Sequence, residues 1–191
     1  MGYFPFFINL TGKICVVIGD GKVAERKAAS LRMFDGEVSV YAKGEWNEQV
    51  LSQAFLVVAA TDQREVNRQI ALFCREKGIF VNVADSKEES TVLFPAVIRQ
   101  GPVSIGISTG GSSPLVSSEI RRSIEANLPP DIGATAEFMQ KIRSTVTKLP
   151  IHEKMKKKIF QTIYEEVRKK HGRLEEGEAA KIIAELLGEQ T

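Results

Sequence analysis

Residues 12–18, Gly-Lys-Ile-Cys-Val-Val-Ile, make a nearly continuous apolar run that stops abruptly at Gly19-Asp20-Gly21. A run of this length without polar alternation fits a strand buried on both faces, as in a parallel sheet covered by helices. Past the glycines, Ala24, Ala28, Leu31 and Phe34 recur at helical spacing, so Val23 to Phe34 is expected to be a helix. Gly36 stops it, and Glu37 to Tyr41 places Val38 and Val40 on one face of a second strand. A short helix over Trp46–Gln53 precedes another apolar run, Phe55 to Ala60. Thr61-Asp62 offers a helix cap, and the helix it opens runs to about Glu76. Gly78 ends that helix before a strand-like Ile79–Val83. Strands alternating with helices in this way argue for a doubly wound parallel sheet.

The pattern changes after Asp85. Thr91–Ile98 and Val103–Ser108 are strand-like and flank the turn signal Gly101-Pro102. Gly110-Gly111-Ser112-Ser113-Pro114 then opens a helix to about Leu128, and Pro129-Pro130 closes it. Three more helices are expected over about 132–148, 151–170 and 175–187, separated by Pro150 and Gly172. The expected architecture is α/β: a Rossmann-like parallel sheet over 1–85, a small mixed region over 86–130, and a helical region over 131–191.

Composition narrows the functional classes. The chain has 191 residues, 43% apolar and 26% charged, with a net charge of +2. This is an ordinary globular balance, and the charge is too small to point to nucleic acid. No apolar run reaches the ~18 residues of a membrane span, and the N-terminus has no signal-peptide pattern, so a cytoplasmic protein with no membrane partner is expected. Cys15 and Cys74 cannot build a disulfide framework, and no Cys/His cluster suggests a metal site. His152 and His171 fall in the helical tail, where exposed helix positions are the simpler reading.

Gly19-Asp20-Gly21-Lys22-Val23-Ala24 matches G-x-G-x-x-G/A between a buried strand and a helix. The first glycine permits the tight turn, and the second lets the backbone approach a pyrophosphate. The small sixth residue lets helix and strand pack, while the helix N-terminus attracts the phosphate charge. The acid that usually reads the ribose at the end of the second strand is missing. That stretch is Val40-Tyr41-Ala42-Lys43, with no acid until Glu45, so NAD and NADP both remain open on spacing. Gly19, Gly21, Lys22, Val23 and Ala24, with Lys43 and Thr61, make up the expected cofactor set.

Several segments together resemble one family. Phe6–Leu10 and Val16–Lys27 are followed in order by Leu56–Asp62 with Asn67, by Val81-Asn82-Val83-Ala84-Asp85, by Phe94-Pro95-Ala96, and by Ile107–Pro114. This ordered set resembles precorrin-2 dehydrogenase, also found as the N-terminal part of siroheme synthase, over about residues 3–145. The resemblance implies NAD-dependent oxidation of precorrin-2 to sirohydrochlorin by a homodimer whose central region swaps between subunits. Some family members also insert ferrous iron. The family's active-site aspartate falls on Asp85, and a regulatory phosphoserine of the fusion enzyme falls on Thr109. No methyltransferase part is matched, so precorrin-2 is expected to come from another protein. Two departures stand out. The family usually has three glycines where this chain has Gly19-Asp20-Gly21; there Asp20 must point away from a pyrophosphate or cap the helix. Between Val40 and Ala54 the chain also lacks the length of one helix and one strand.

Hydride transfer needs a nicotinamide held against the carbon that loses hydride, and a base for the departing proton. A carboxylate just beyond a strand's carboxyl end is well placed for that, which makes Asp85 the expected catalytic base. Its bland alternative is a turn cap in Asp85-Ser86-Lys87-Glu88. Asn82 is close enough in sequence to hydrogen-bond nearby. Thr109, Gly110, Ser112 and Ser113 offer hydroxyls and amides for substrate carboxylates, although a self-capped turn serves the same residues equally well. Residues 141–173 hold eleven Lys or Arg against three Glu. A solvated helix face accounts for that excess, and steering of a polyanionic tetrapyrrole is the functional alternative. The competing class is an NAD-sensing regulatory module whose helical tail binds a partner.

Overall fold

A computed structural model describes residues 2–175 and 177–188; the end of the expected helical region, 189–191, lies outside them. By internal contacts the chain forms two compact units, Met1–Pro95 with Ser108–Pro114, and Ala96–Ile107 with Leu115–Thr191.

The first unit is a four-stranded, all-parallel sheet in the order β2-β1-β3-β4. The strands are β1 (Ile14–Ile18), β2 (Glu37–Tyr41), β3 (Leu56–Ala59) and β4 (Phe80–Val83). Helix α1 (Lys22–Arg32) connects β1 to β2, α2 (Glu48–Ser52) connects β2 to β3, and α3 (Arg64–Glu76) connects β3 to β4. Successive side chains point to opposite faces, which divides the apolar strands into two cores. Cys15, Val17 and Val58 pack with Ala24, Ala28 and Leu31 of α1. Val16, Ile18, Val57 and Val81 pack on the other face with Leu51, Ile70, Ala71 and Cys74. Each fully buried Val or Ile is worth about 1.5–3 kcal/mol relative to exposure, so a sheet covered on both sides justifies uninterrupted apolar strands. Both thiols are free and buried, and burial pushes Cys74 up to about 12.

The chain passes from β1 to β2 on one side and then crosses to β3 on the other. The reversal opens a crevice at the carboxyl ends of β1 and β3. The shortened stretch between β2 and β3 contains one helical piece, α2, whose cap Asn47 accepts from Val50 N at 3.0 Å.

Two local expectations need correction, and one of two alternatives for Asp20 falls away. Thr61-Asp62 does not cap α3, whose first residue is Arg64 after Gln63; the Thr61 hydroxyl is drawn to Asn67 instead. Asp20 does not cap α1 either. Nor is Thr91–Ile98 a strand throughout. Residues 90–92 dock on the open edge of β4 by side chain and backbone together: Ser90 Oγ accepts from Val83 N at 2.9 Å and Thr91 Oγ1 from Val81 N at 2.8 Å, while Thr91 N and Val92 N donate to Val81 O at 2.8 and 3.2 Å. Covering an edge this way blunts β4 as a template for pairing with another chain. Regular strand begins only at β5 (Ala96–Gln100).

The second unit contains the antiparallel pair β5 and β6 (Val103–Ile107). Four helices follow: α4 (Pro114–Asn127), α5 (Ile132–Val146), α6 (Glu153–Lys169) and α7 (Glu178–Gly188). Ile142, Val146, Ile159, Ile163, Val167 and Leu186 form the core of α5–α7. His152 and His171 flank α6 rather than lie within it, and both are exposed. No helix among the described residues is long and apolar enough to cross a membrane.

Candidate functional site

The glycine loop is locked between two strand ends. Gly19 N donates to Tyr41 O at 2.8 Å, and Ala60 N donates to Ile18 O at 2.8 Å. Gly19 has φ +132°, and a Cβ there would come 2.3 Å from Ala60 O, so only glycine fits. Gly21, the N-cap of α1, has the opposite character. No side chain caps the helix, and a Cβ at Gly21 would meet nothing within 4 Å. The first turn of α1 therefore faces open space with its amides uncapped, which suits an anion such as a pyrophosphate.

A cavity of about 530 Å³ lies over this turn. It is lined by Asp20, Gly21, Lys22 and Val23 of the loop, by Ala42, Lys43 and Gly44 after β2, and by Ala60, Thr61 and Asp62 after β3. Of the expected cofactor set, Gly21, Lys22, Val23, Lys43 and Thr61 thus meet in one cavity. Gly19 and the buried Ala24 support it from below. Room above the second glycine, uncapped amides and two lysines fit a dinucleotide.

Asp85 stands beyond the carboxyl end of β4, exposed, with Oδ1 accepting from Asn67 Nδ2 at 3.2 Å. Asn67 is fully buried in α3, and Thr61 holds it at three points. Asn67 Oδ1 accepts from Thr61 N at 3.0 Å and from Thr61 Oγ1 at 2.8 Å, and its Nδ2 also donates to Thr61 O at 3.1 Å. A buried amide this well satisfied holds its rotamer, so Thr61, which lines the cavity, is tied to the Asp85 carboxylate through one rigid side chain. Asn67 takes the place expected of Asn82. Asn82 points to the opposite face of the sheet, where its Oδ1 accepts from Lys27 Nζ at 2.8 Å and its Nδ2 donates to Val92 O at 2.9 Å. Lys27 also sits over the Phe94 ring, 4.3 Å from its centroid. Burial, with Arg26 nearby adding repulsion, lowers the Lys27 ammonium to about 8. A signal for Asn67 was present in the sequence: with Ile70, Ala71 and Cys74 it completes an i, i+3, i+4, i+7 stripe, and a lone amide on such a stripe needs a partner.

The 108–114 loop is closed on itself. Thr109 Oγ1 accepts from Ser113 N and donates to Ser113 O, both at 3.1 Å, while Ser108 Oγ accepts from Gly110 N at 3.1 Å. Gly111 brings this loop beside the Asp85 segment, since a Cβ there would lie 2.7 Å from Lys87 Cδ. Among the described residues, no three His, Cys, Asp or Glu side chains gather as metal ligands. In the second unit, Ile132, Thr135, Met139, Lys157, Phe160 and Tyr164 line a mostly apolar groove that contains none of the expected site residues.

Comparison with known proteins bears on this geometry. Residues 6–96 match a family model described as putative NAD(P)-binding, and residues 100–127 match the central part of sirohaem biosynthesis protein. The chain is 33% identical to siroheme synthase of Enterobacter sp. (strain 638) over 165 residues, covering 76% of this chain and 36% of that protein. It is likewise 33% identical to siroheme synthase 2 of Yersinia enterocolitica, covering 76% and 35%. The chain thus spans about a third of the length of the siroheme synthases it matches. Among solved structures, one titled "SirC, precorrin-2 dehydrogenase" superposes with a TM-score of 0.69 at 20% identity, covering 97% of this chain and 100% of that one, a likeness of fold. Two family segments matched in order, with a third of the aligned residues identical, make residues 6–127 similar to the NAD(P)-binding and central segments of siroheme synthases.

Proposed function

We propose that the chain binds NAD in the cavity above Gly21 and oxidises precorrin-2 to sirohydrochlorin, with Asp85 as the base. The observation that carries this reading is the Thr61–Asn67–Asp85 connection, which ties the wall of a dinucleotide cavity to a carboxylate at the same edge of the sheet. Bound NAD supplies the hydride acceptor. The chain's own groups do the rest. The α1 amides and Lys22 hold phosphate charge, Thr61 and Asn67 fix the Asp85 carboxylate, and Asp85 accepts the proton that the substrate loses. Thr109, Gly110, Ser112 and Ser113, beside Lys87, form the substrate side, while Asn82, on the opposite face of the sheet, ties β4 to Lys27 and Val92. The basic 141–173 segment attracts a ligand rich in carboxylates.

A homodimer formed through residues 86–130 and a cytoplasmic location belong to the same reading. The support for the dimer is α4, which buries no residue within the single chain and leaves Leu115, Val116 and Ile120 exposed at 70%, 47% and 41%.

One experiment tests the proposal. NAD and precorrin-2 are mixed with the protein while NADH absorbance is followed, and light scattering measures mass on the same sample. NADH formation, a mass twice 21.1 kDa and a loss of about 10²–10⁴-fold in turnover for Asp85→Asn are expected. Binding of NAD without turnover points to the sensor class instead, and an unaffected Asp85→Asn variant removes the base.

A further inference from the structure

The end of β2 is where dinucleotide-binding sheets usually carry the acid that accepts from the ribose hydroxyls, with basic residues there when a 2′-phosphate must be held. This chain carries Lys43 at that place, which on its own favours the phosphate. The structure gives Lys43 a partner. Its Nζ lies 3.1 Å from Asp62 Oδ1, a contact that joins the turn after β2 to the turn after β3, and both residues line the cavity. The one acid close to the end of β2, Glu45, is committed elsewhere. Its Oε2 accepts from Ala42 N at 3.1 Å, its own amide donates to Ala42 O at 3.0 Å, and it does not line the cavity.

Asp62 is therefore the carboxylate that this end of the cavity presents, reached from β3 rather than from β2. We infer that the Lys43–Asp62 pair determines cofactor choice, with Asp62 standing in for the missing ribose acid and selecting NAD over NADP. The inference rests on the dinucleotide reading of the cavity. Asp62 neutralises Lys43, the cation beyond the end of β2, and it places like charge where a 2′-phosphate would sit. Among the described residues its Oδ2 has no hydrogen-bond partner, which leaves an acceptor for ribose hydroxyls. The pair contributes little to the fold, since the Lys43 and Asp62 side chains are 42% and 80% exposed. Substitutions here test binding rather than folding.

Calorimetric titration with NAD and with NADP, separately, on the wild-type chain and on Asp62→Asn, Asp62→Ser and Lys43→Ala tests the assignment. Urea unfolding confirms that each variant is folded. The wild type is expected to prefer NAD by at least about tenfold, and both Asp62 variants to lose about tenfold or more of that preference by gaining NADP affinity. Lys43→Ala is expected to keep or increase the preference for NAD. A wild type that prefers NADP, or Asp62 variants whose preference stays within about twofold of wild type, overturns the assignment while leaving the cavity a dinucleotide site. A wild type that binds neither dinucleotide removes both.

Discussion

Helices α1 and α4 begin alike and end differently. Each follows a strand and a glycine-bearing loop, and the sequence suggests an anion site at both. At α1 the cap is Gly21, whose missing side chain leaves the first turn uncapped beneath an open cavity. Ahead of α4, Thr109 and Ser108 spend their hydroxyls on Ser113 and Gly110. A helix start becomes an anion site when its caps are withheld; a loop rich in hydroxyls satisfies itself first. The two glycine loops also differ in what they demand of the backbone, and the largest predicted effect follows from that difference. Gly19→Ala drives a Cβ into Ala60 O at 2.3 Å from an unfavourable φ, whereas Gly110, with φ +60°, has nothing within 4 Å. Gly19→Ala is expected to cost at least about 3 kcal/mol and Gly110→Ala about 1 kcal/mol, both measured by urea unfolding without ligand. Equal costs break the comparison.

The sheet was legible in the sequence because both of its faces are covered. Val16 to Ile18 and Leu56 to Ala59 are apolar at every position, so neither required a guess about which face is buried. The edge of β4 was not legible. Ser90 and Thr91 meet Val83 and Val81 through side-chain oxygens as well as the Thr91 and Val92 amides, and no side-chain periodicity announces such mixed pairing; Thr91 therefore reads as the start of a strand. The candidate site was half legible. The loop and Asp85 stand in recognisable local segments, but Asn67 acquires its role only when Thr61, six residues earlier, and Asp85, eighteen later, converge on it. Asn82 was assigned to the site by its nearness in sequence to Asp85, and strand alternation sends it to the other face.

A smaller effect sharpens the contrast at the closed loop. Thr109→Val keeps the shape of the side chain and removes the hydroxyl that both accepts from and donates to Ser113. The expected loss is about 1–2 kcal/mol of stability, with NAD affinity within about twofold of wild type. If NAD affinity falls well beyond that, the 108–114 loop acts on the cofactor, and the division between an open and a self-satisfied helix start fails.

The two helices also treat their basic residues differently. On α4, Arg121 pairs with Glu125 at 2.5 Å on the outer surface. On α1, Lys27 is half-buried against Asn82 and Phe94 with a neutral amide and a ring for company, and burial, reinforced by Arg26, holds it near 8 against an ordinary 10.5. The sign of the consequence follows from proton counting. Between about pH 8 and 10.5 the unfolded chain keeps a proton on Lys27 that the folded chain has released, so this residue makes stability rise with pH across that window. Below about 8 both forms are protonated and its contribution is flat. In Lys27→Met the rise is absent, although Asn82 Oδ1 loses its donor and the variant starts from a lower stability at every pH. The informative quantity is therefore the difference in urea-unfolding free energy between pH 7 and 9.5, compared across the two proteins. Wild type should gain on the order of 1 kcal/mol more than Lys27→Met over that interval, less than full burial gives because part of the side chain reaches water. Matching pH profiles place the Lys27 ammonium in solvent and remove this distinction between the helices.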